Sequence, residues 1–276
     1  MGLRILTGLI GAPLLLLFIF KGGIFFAGLV FTLVTIGIWE YGKMVTTKGY
    51  QFQTILVMLS AWVMIITCYL NFKDWASFGL MLIFLCIFFL AIVKYPRYEV
   101  SDIAVHFLGV IYIGWTMSHL LLLNRMEEGT LLILYLFFAI WSSDSGAYFA
   151  GKFLGKHKLC PKISPKKSVE GSIGGVIGVV TFITLYCKLL LAQWVPAFGQ
   201  VPVWAYILFG LACGIMSQVG DLTASLIKRH FGIKDYGKIF PGHGGVLDRF
   251  DSLIFVAPAT YFFLQIAVYV VERGIG

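Results

Sequence analysis

Charge is what this chain has least of. Lys, Arg, Asp and Glu make up 12% of its 276 residues, about half the share in an ordinary soluble domain. So thin a charged coat cannot cover a water-soluble particle of this size. Disorder is excluded too, because 59% of the residues are hydrophobic and 16% aromatic, and unfolded chains are poor in both. Cysteine offers no framework. The five cysteines stand singly, Cys68, Cys86, Cys187 and Cys213 in apolar runs and Cys160 in a basic stretch. With no CxxC, no His–Cys cluster at zinc spacing and an odd count, neither a disulfide scaffold nor a structural zinc is indicated. No internal repeat or low-complexity tract stands out. A cleavable leader is not expected either: Pro13 interrupts the first apolar run and no small-x-small site follows, so residues 5–20 read as a retained span.

What is present in abundance is apolar sequence, in runs near the length a bilayer requires. They cover 5–20, 24–40, 54–70, 76–93, 103–123, 130–150, 172–193, 202–227 and 251–271. Gly22-Gly23, Pro96, Asn124, Pro196 and Pro202 fall at their ends, where helix breakers belong. The expected fold is all-α, a polytopic integral membrane protein with about nine transmembrane helices. Its division is placed between N-terminal transmembrane helices (1–100) and a transmembrane catalytic domain (101–276). Two connections are long and polar, 151–171 and 228–251.

Nine spans put the termini on opposite sides. Of the 21 Lys and Arg, all but Lys21, Lys73, Arg125, Lys188 and Arg273 then fall on the side of the N-terminus. The positive-inside rule makes that side cytoplasmic and puts the C-terminus outside. Nine of the 13 acids share it: Glu40, Glu99, Asp102, Asp144, Glu170, Asp221, Asp235, Asp248 and Asp251. Orientation alone needs no carboxylates there, so the net charge of +8 carries more than a topology signal. Glu40, between Trp39 and Tyr41, is expected at the interface, in reach of lipid headgroups.

Four of these acids form the expected catalytic set. Asp144, in Trp141-Ser142-Ser143-Asp144-Ser145-Gly146, lies about six residues before the end of its run, roughly 9 Å deep. Asp221, in Ser217-Gln218-Val219-Gly220-Asp221-Leu222-Thr223, lies at a similar depth of about 10 Å. Ionisable groups on membrane helices are costly and mark function by default, and both are flanked by hydroxyls or amide side chains. Asp248 and Asp251 are spaced i, i+3 and share a helix face. Such a set suits a hard cation, and Mg²⁺ is usually held by one or two carboxylates together with water and substrate phosphates.

Cations stand beside them. In Ser164-Pro165-Lys166-Lys167-Ser168, proline fixes the backbone while hydroxyls and ammonium groups can meet phosphate oxygens. The turn Phe240-Pro241-Gly242-His243-Gly244-Gly245 leads into a helix N-terminus, where backbone N–H groups favour anions. The expected phosphate-binding residues are Ser164, Lys166, Lys167, Lys228, Arg229, His243, Gly244, Gly245 and Arg249. Lys152, Lys156 and Lys158 read as topology signal, and the pairs Gly171/Gly175 and Gly174/Gly178 as helix packing.

Residues 225–251, from Ser225 through Lys228-Arg229, Lys234-Asp235 and His243-Gly244-Gly245 to Asp248-Arg249-Phe250-Asp251, resemble the signature of phosphatidate cytidylyltransferases (CDP-diacylglycerol synthases). The segments 144–152 and 163–171 are similar to the same family. The resemblance implies the transfer of CMP from CTP to phosphatidate, giving CDP-diacylglycerol and pyrophosphate in phospholipid biosynthesis. It also implies a Mg²⁺ site at Asp221, Asp248 and Asp251, with Asp144 in the same polar cavity. A second, monovalent cation such as K⁺ and a homodimer in the membrane lipids come with it. No nucleic-acid partner is expected. A CDP-alcohol phosphotransferase would carry a DG…AR…G…D…D cluster that is absent here, and a transporter would leave both polar loops unexplained.

Overall fold

A computed structural model describes residues 2–194, 199 and 201–272; Pro196 and Arg273 lie outside them. The helices are α1 (Gly2–Lys21), α2 (Gly23–Thr46), α3 (Thr54–Leu70), α4 (Lys73–Val93), α5 (Val100–Asn124), α6 (Gly129–Leu154), α7 (Val169–Tyr186), α8 (Val203–His230) and α9 (Leu247–Glu272). Seven of the nine apolar runs fall within one of them; the run 202–227 starts one residue ahead of α8, and the run 172–193 outlasts α7, continuing through a π-helical turn, Cys187–Leu191, to Ala192–Trp194. Among the described residues six helices are long and apolar enough to cross a membrane, and three apolar helices are shorter, Thr7–Lys21, Thr54–Leu70 and Gly79–Val93. The chain is therefore a multi-pass membrane protein of the all-α class.

The helices outrun the hydrophobic runs at their polar ends. Because α6 continues to Leu154 and α8 to His230, Asp144 and Asp221 sit about 15 and 14 Å from those ends. The depths remain matched.

The chain divides into two compact units, 1–125 with 227–250, and 126–226 with 251–276. In the first, α2 turns one stripe inward: Phe26, Val30, Val34, Ile38, Tyr41 and Val45 are buried, at the three- and four-residue spacing of one helix face. Polar latches fix its connections. His106 Nε2 accepts the Gln53 N–H at 2.9 Å, and Asp102 accepts that of Gln51 at 2.8 Å. Glu99 and Asp102 form a capping box at the start of α5, which satisfies N–H groups that helix geometry leaves open.

In the second unit α6 and α7 meet through glycine. A Cβ added at Gly146 would lie 2.5 Å from the Gly174 carbonyl oxygen, and one at Gly178 would lie 2.8 Å from that of Ser142. The two overlapping GxxxG pairs are thus the face that lets these backbones touch. Helix α8 joins them with Gly210 on Val180 and Gly214 on Val176, while Gly220 packs on Asp251 and Ser252 of α9. In Gly174→Ala the new methyl meets Ala150 and the Gly146 carbonyl, an overpacking cost of about 1–3 kcal/mol. Thermal unfolding in detergent should show a lowered midpoint, whereas Gly28→Ala, with nothing within 4 Å, should unfold as the parent does.

The long polar connection 151–171 contains a β-hairpin. Strands β1 (Lys158–Cys160) and β2 (Ser164–Ser168) pair antiparallel, Lys158 opposite Ser168 and Cys160 opposite Ser164. Ser168 then caps α7, accepting the Gly171 N–H at 3.1 Å. Glu170 accepts the N–H groups of Lys156 and His157 at 3.1 and 3.2 Å and pairs with His157 Nδ1 at 2.6 Å. These bonds return the hairpin to the start of α7.

Candidate functional site

In the second unit α6, α7, α8 and the hairpin enclose a cavity of about 450 Å³. Its wall carries Asp144 from α6, Asp221 from α8, and both Lys166 and Lys167 from β2. Five serines (Ser143, Ser168, Ser172, Ser217 and, from α9, Ser252) and Gln218 add to its polar lining. Lys167 Nζ is ion-paired to Asp221 Oδ2, with 26% of the lysine and 36% of the aspartate side chain exposed. Ser172 donates to Gln218 Oε1, and Gln218 Nε2 returns a bond to the Ser172 carbonyl at 2.7 Å. That exchange ties α7 to α8 beside the ion pair. The cavity therefore offers carboxylate oxygens next to cationic nitrogens, which suits a phosphate that arrives with a metal ion. Lys152 belongs to this wall too and so has a place beyond topology signal.

Asp251 also lies in this unit, with its Oδ1 accepting the Ser252 N–H at 2.7 Å. Ser164 is paired with Cys160 in the hairpin, and it does not belong to the cavity wall.

The first unit holds the glycine-rich turn. Gly242 and Gly244 have φ of 78° and 86°, left-handed values that a side chain would strain. Their turn is closed by His243 N–H to the Phe240 carbonyl at 2.8 Å and Phe240 N–H to the Gly244 carbonyl at 2.9 Å. Around it lies a second cavity of about 660 Å³, walled by Lys234, Asp235, Lys238, His243, Gly244 and Arg249 among others. His243 Nδ1 is buried there without a hydrogen-bond partner. Arg229 reaches the Ile233 carbonyl at 3.5 Å and stands outside this wall.

The N–H groups of the turn face carboxylates of the chain itself. Asp248, with 4% of its side chain exposed, accepts from Lys228 Nζ at 2.7 Å, Tyr236 N–H at 2.8 Å and Gly245 N–H at 2.9 Å. Glu40 of α2, 1% exposed, accepts the Val246 and Leu247 N–H groups, both at 3.1 Å. Gly237 and Gly245 lie flat on its carboxylate, with no space for a Cβ. The anion-binding geometry expected of Gly245 and the helix N-terminus is real, and Asp248 and Glu40 fill it. The cavity wall itself carries three cationic side chains, Lys234, Lys238 and Arg249, with Asp235 among them. Glu40 is thus a buried latch, not an interfacial residue. The only local signal was a lone carboxylate within an apolar helix; its partners lie over 200 residues away.

Among the described residues no three His, Cys, Asp or Glu side chains gather as a metal cluster. Mg²⁺ does not need one when substrate phosphate and water complete its shell.

Residues 2–267 match a family model described as the cytidylyltransferase family. The chain is 35% identical over 269 residues to a phosphatidate cytidylyltransferase of Bacillus subtilis (strain 168), covering 95% of this chain and 97% of the relative. A phosphatidate cytidylyltransferase of Staphylococcus epidermidis is 33% identical over 265 residues, 94% of this chain and 96% of its own. One from Staphylococcus aureus (strain COL) is 37% identical over 164 residues, 59% of each chain.

Proposed function

The chain belongs to the cytidylyltransferase family, and on that premise we propose that it transfers CMP from CTP to phosphatidate. The observation that carries the reading is the membrane-helix cavity in which Asp144 and Asp221 stand with Lys166 and Lys167. In this reaction a phosphate oxygen of phosphatidate bonds to the α-phosphorus of CTP. The bond from that phosphorus to the bridging α–β oxygen breaks, and pyrophosphate leaves with the electron pair. The nucleophile is already an anion, so the chain needs no Ser or Cys nucleophile. Its task is to hold two polyanions in line and to offset their repulsion.

Lys166 and Lys167 are placed to take phosphate oxygens in the cavity. Lys234, Lys238, His243 and Arg249 offer cationic or hydrogen-bonding groups around the glycine turn. For Mg²⁺ the fit rests on donor chemistry: two carboxylates line one cavity, and an ammonium already pairs with Asp221 where a metal cation would go. We place the ion on Asp221 with Asp144 beside it. Asp248 and Asp251 belong to the carboxylate set that the resemblance implies, and Asp248 is bonded to Lys228. When bound, Mg²⁺ would supply charge neutralisation on the triphosphate. The monovalent cation and the homodimer belong to the same reading and rest on the resemblance. The cytoplasmic N-terminus rests on the distribution of Lys and Arg.

Purified protein in detergent, given Mg²⁺, CTP and phosphatidate, is expected to release pyrophosphate only when the lipid is present. Folded protein that releases none in a lipid-dependent manner overturns the assignment.

A further inference from the structure

We propose that Lys167 is the resident counter-ion of Asp221, so that a divalent cation must displace it, and that the freed ammonium then takes a phosphate. The inference rests on the reading above, in which Asp221 holds the metal.

Asp221 lies on α8, about 14 Å from the helix end, where a carboxylate needs a compensating charge. The chain supplies it from a separate element: Lys167 reaches Asp221 from the hairpin strand β2. The hairpin backbone is held by the Ser168 cap and the Glu170 bonds, so the lysine is tethered at its Cα. Its long side chain retains freedom, being 26% exposed beside a cavity of about 450 Å³. Contrast Lys228, whose partner Asp248 is 4% exposed and further bonded by two backbone N–H groups. That pair is sealed, whereas the Lys167 pair opens on the cavity.

An ammonium and a divalent cation cannot both sit against one carboxylate oxygen without strong repulsion, so they compete. Once displaced, Lys167 shares the cavity with Lys166, and a phosphate entering there offers charge-assisted bonds to both. Metal and phosphate affinities are then coupled, and linkage makes the coupling reciprocal. Empty of substrate, the site would favour its own lysine over a metal.

The counter-ion role predicts an effect opposite in sign to that of an ordinary ligand. Mn²⁺ titrations of the full chain in detergent, read by electron paramagnetic resonance without nucleotide, should show Lys167→Met binding Mn²⁺ about two- to fivefold tighter than the parent, the scale of a lost partly exposed ion pair. Lys167→Arg, which keeps the charge, should bind no tighter than the parent, and Lys167→Gln serves if the methionine variant does not fold. Unchanged or weaker Mn²⁺ binding in the neutral variants overturns the counter-ion role. Inorganic phosphate, with its own Mn²⁺ complexation subtracted, should tighten Mn²⁺ binding to the parent more than to Lys167→Met; equal tightening overturns the hand-over. Asp221→Asn separates the two levels. If it binds Mn²⁺ as the parent does, the metal reading itself fails. If it loses Mn²⁺ while Lys167→Met is unchanged, only the counter-ion role fails.

Discussion

Exchanging Asp248 for asparagine is expected to lower lipid-dependent pyrophosphate release by at least about 10²-fold, the scale that preorganised electrostatic groups carry. The carboxylate has three donors, Lys228 Nζ, Tyr236 N–H and Gly245 N–H. Asparagine offers one oxygen and turns an NH₂ group toward the remaining donors. It also leaves the Lys228 ammonium, 13% exposed, without its partner, and breaking such a buried pair costs about 3–5 kcal/mol. A loss of activity alone does not say whether Asp248 serves the metal or the turn. Combining Asp248→Asn with Lys228→Met does, because the second change removes the orphaned charge. If Asp248 only balances Lys228, the double variant has at least the activity of Lys228→Met alone and a higher unfolding midpoint than either single variant, since each single change orphans the other charge. If it also contacts metal or substrate, the midpoint recovers and the activity does not. Near-normal turnover in the single variant takes Asp248 out of the site altogether.

The sequence exposed the helices because long apolar runs report burial in lipid or protein without reference to any partner. It misplaced their ends, since Lys152, Phe153 and Leu154, or Lys228, Arg229 and His230, extend a helix as readily as they begin a loop. The hairpin is not legible in the sequence because its strands are three and five residues long, and Ser-Pro-Lys-Lys-Ser has no alternating β-branched pattern. The acids are more instructive. Their surplus on one side reads from sequence as an ion site, yet Glu40, Glu99, Asp102, Glu170 and Asp248 all accept backbone N–H groups. Much of that surplus therefore holds helix starts and turns in place. Asp144 and Asp221, by contrast, line a cavity with lysines. Composition could not separate these roles, since both place a carboxylate near the end of a helix.

Glu40→Gln should prove nearly as damaging, although Glu40 itself lines neither cavity. Its two oxygens accept one N–H each, from Val246 and Leu247, at the start of α9, where such groups lack intrahelical partners and the dipole favours an anion. Glutamine keeps the shape but has a single acceptor oxygen, so its NH₂ group meets an N–H that then goes unsatisfied. A buried donor left in that state costs about 1–3 kcal/mol, and loss of the charge at the helix start adds about 0.3–1 kcal/mol. The turn that presents His243 and Arg249 would loosen, with a lowered unfolding midpoint and at least about tenfold lower turnover, a barrier change of about 1.4 kcal/mol. Glu40→Ala, which orphans both N–H groups, should be worse. Gly245→Ala tests the contact from the other side, because its methyl would fall on the Glu40 carboxylate. Alone, that methyl should lower the midpoint; in the Glu40→Ala background it has room, and its added cost should shrink. Such non-additivity is what contacting residues show. If the methyl costs as much with alanine at position 40 as with glutamate, the carboxylate does not lie on Gly245 and the latch is refuted.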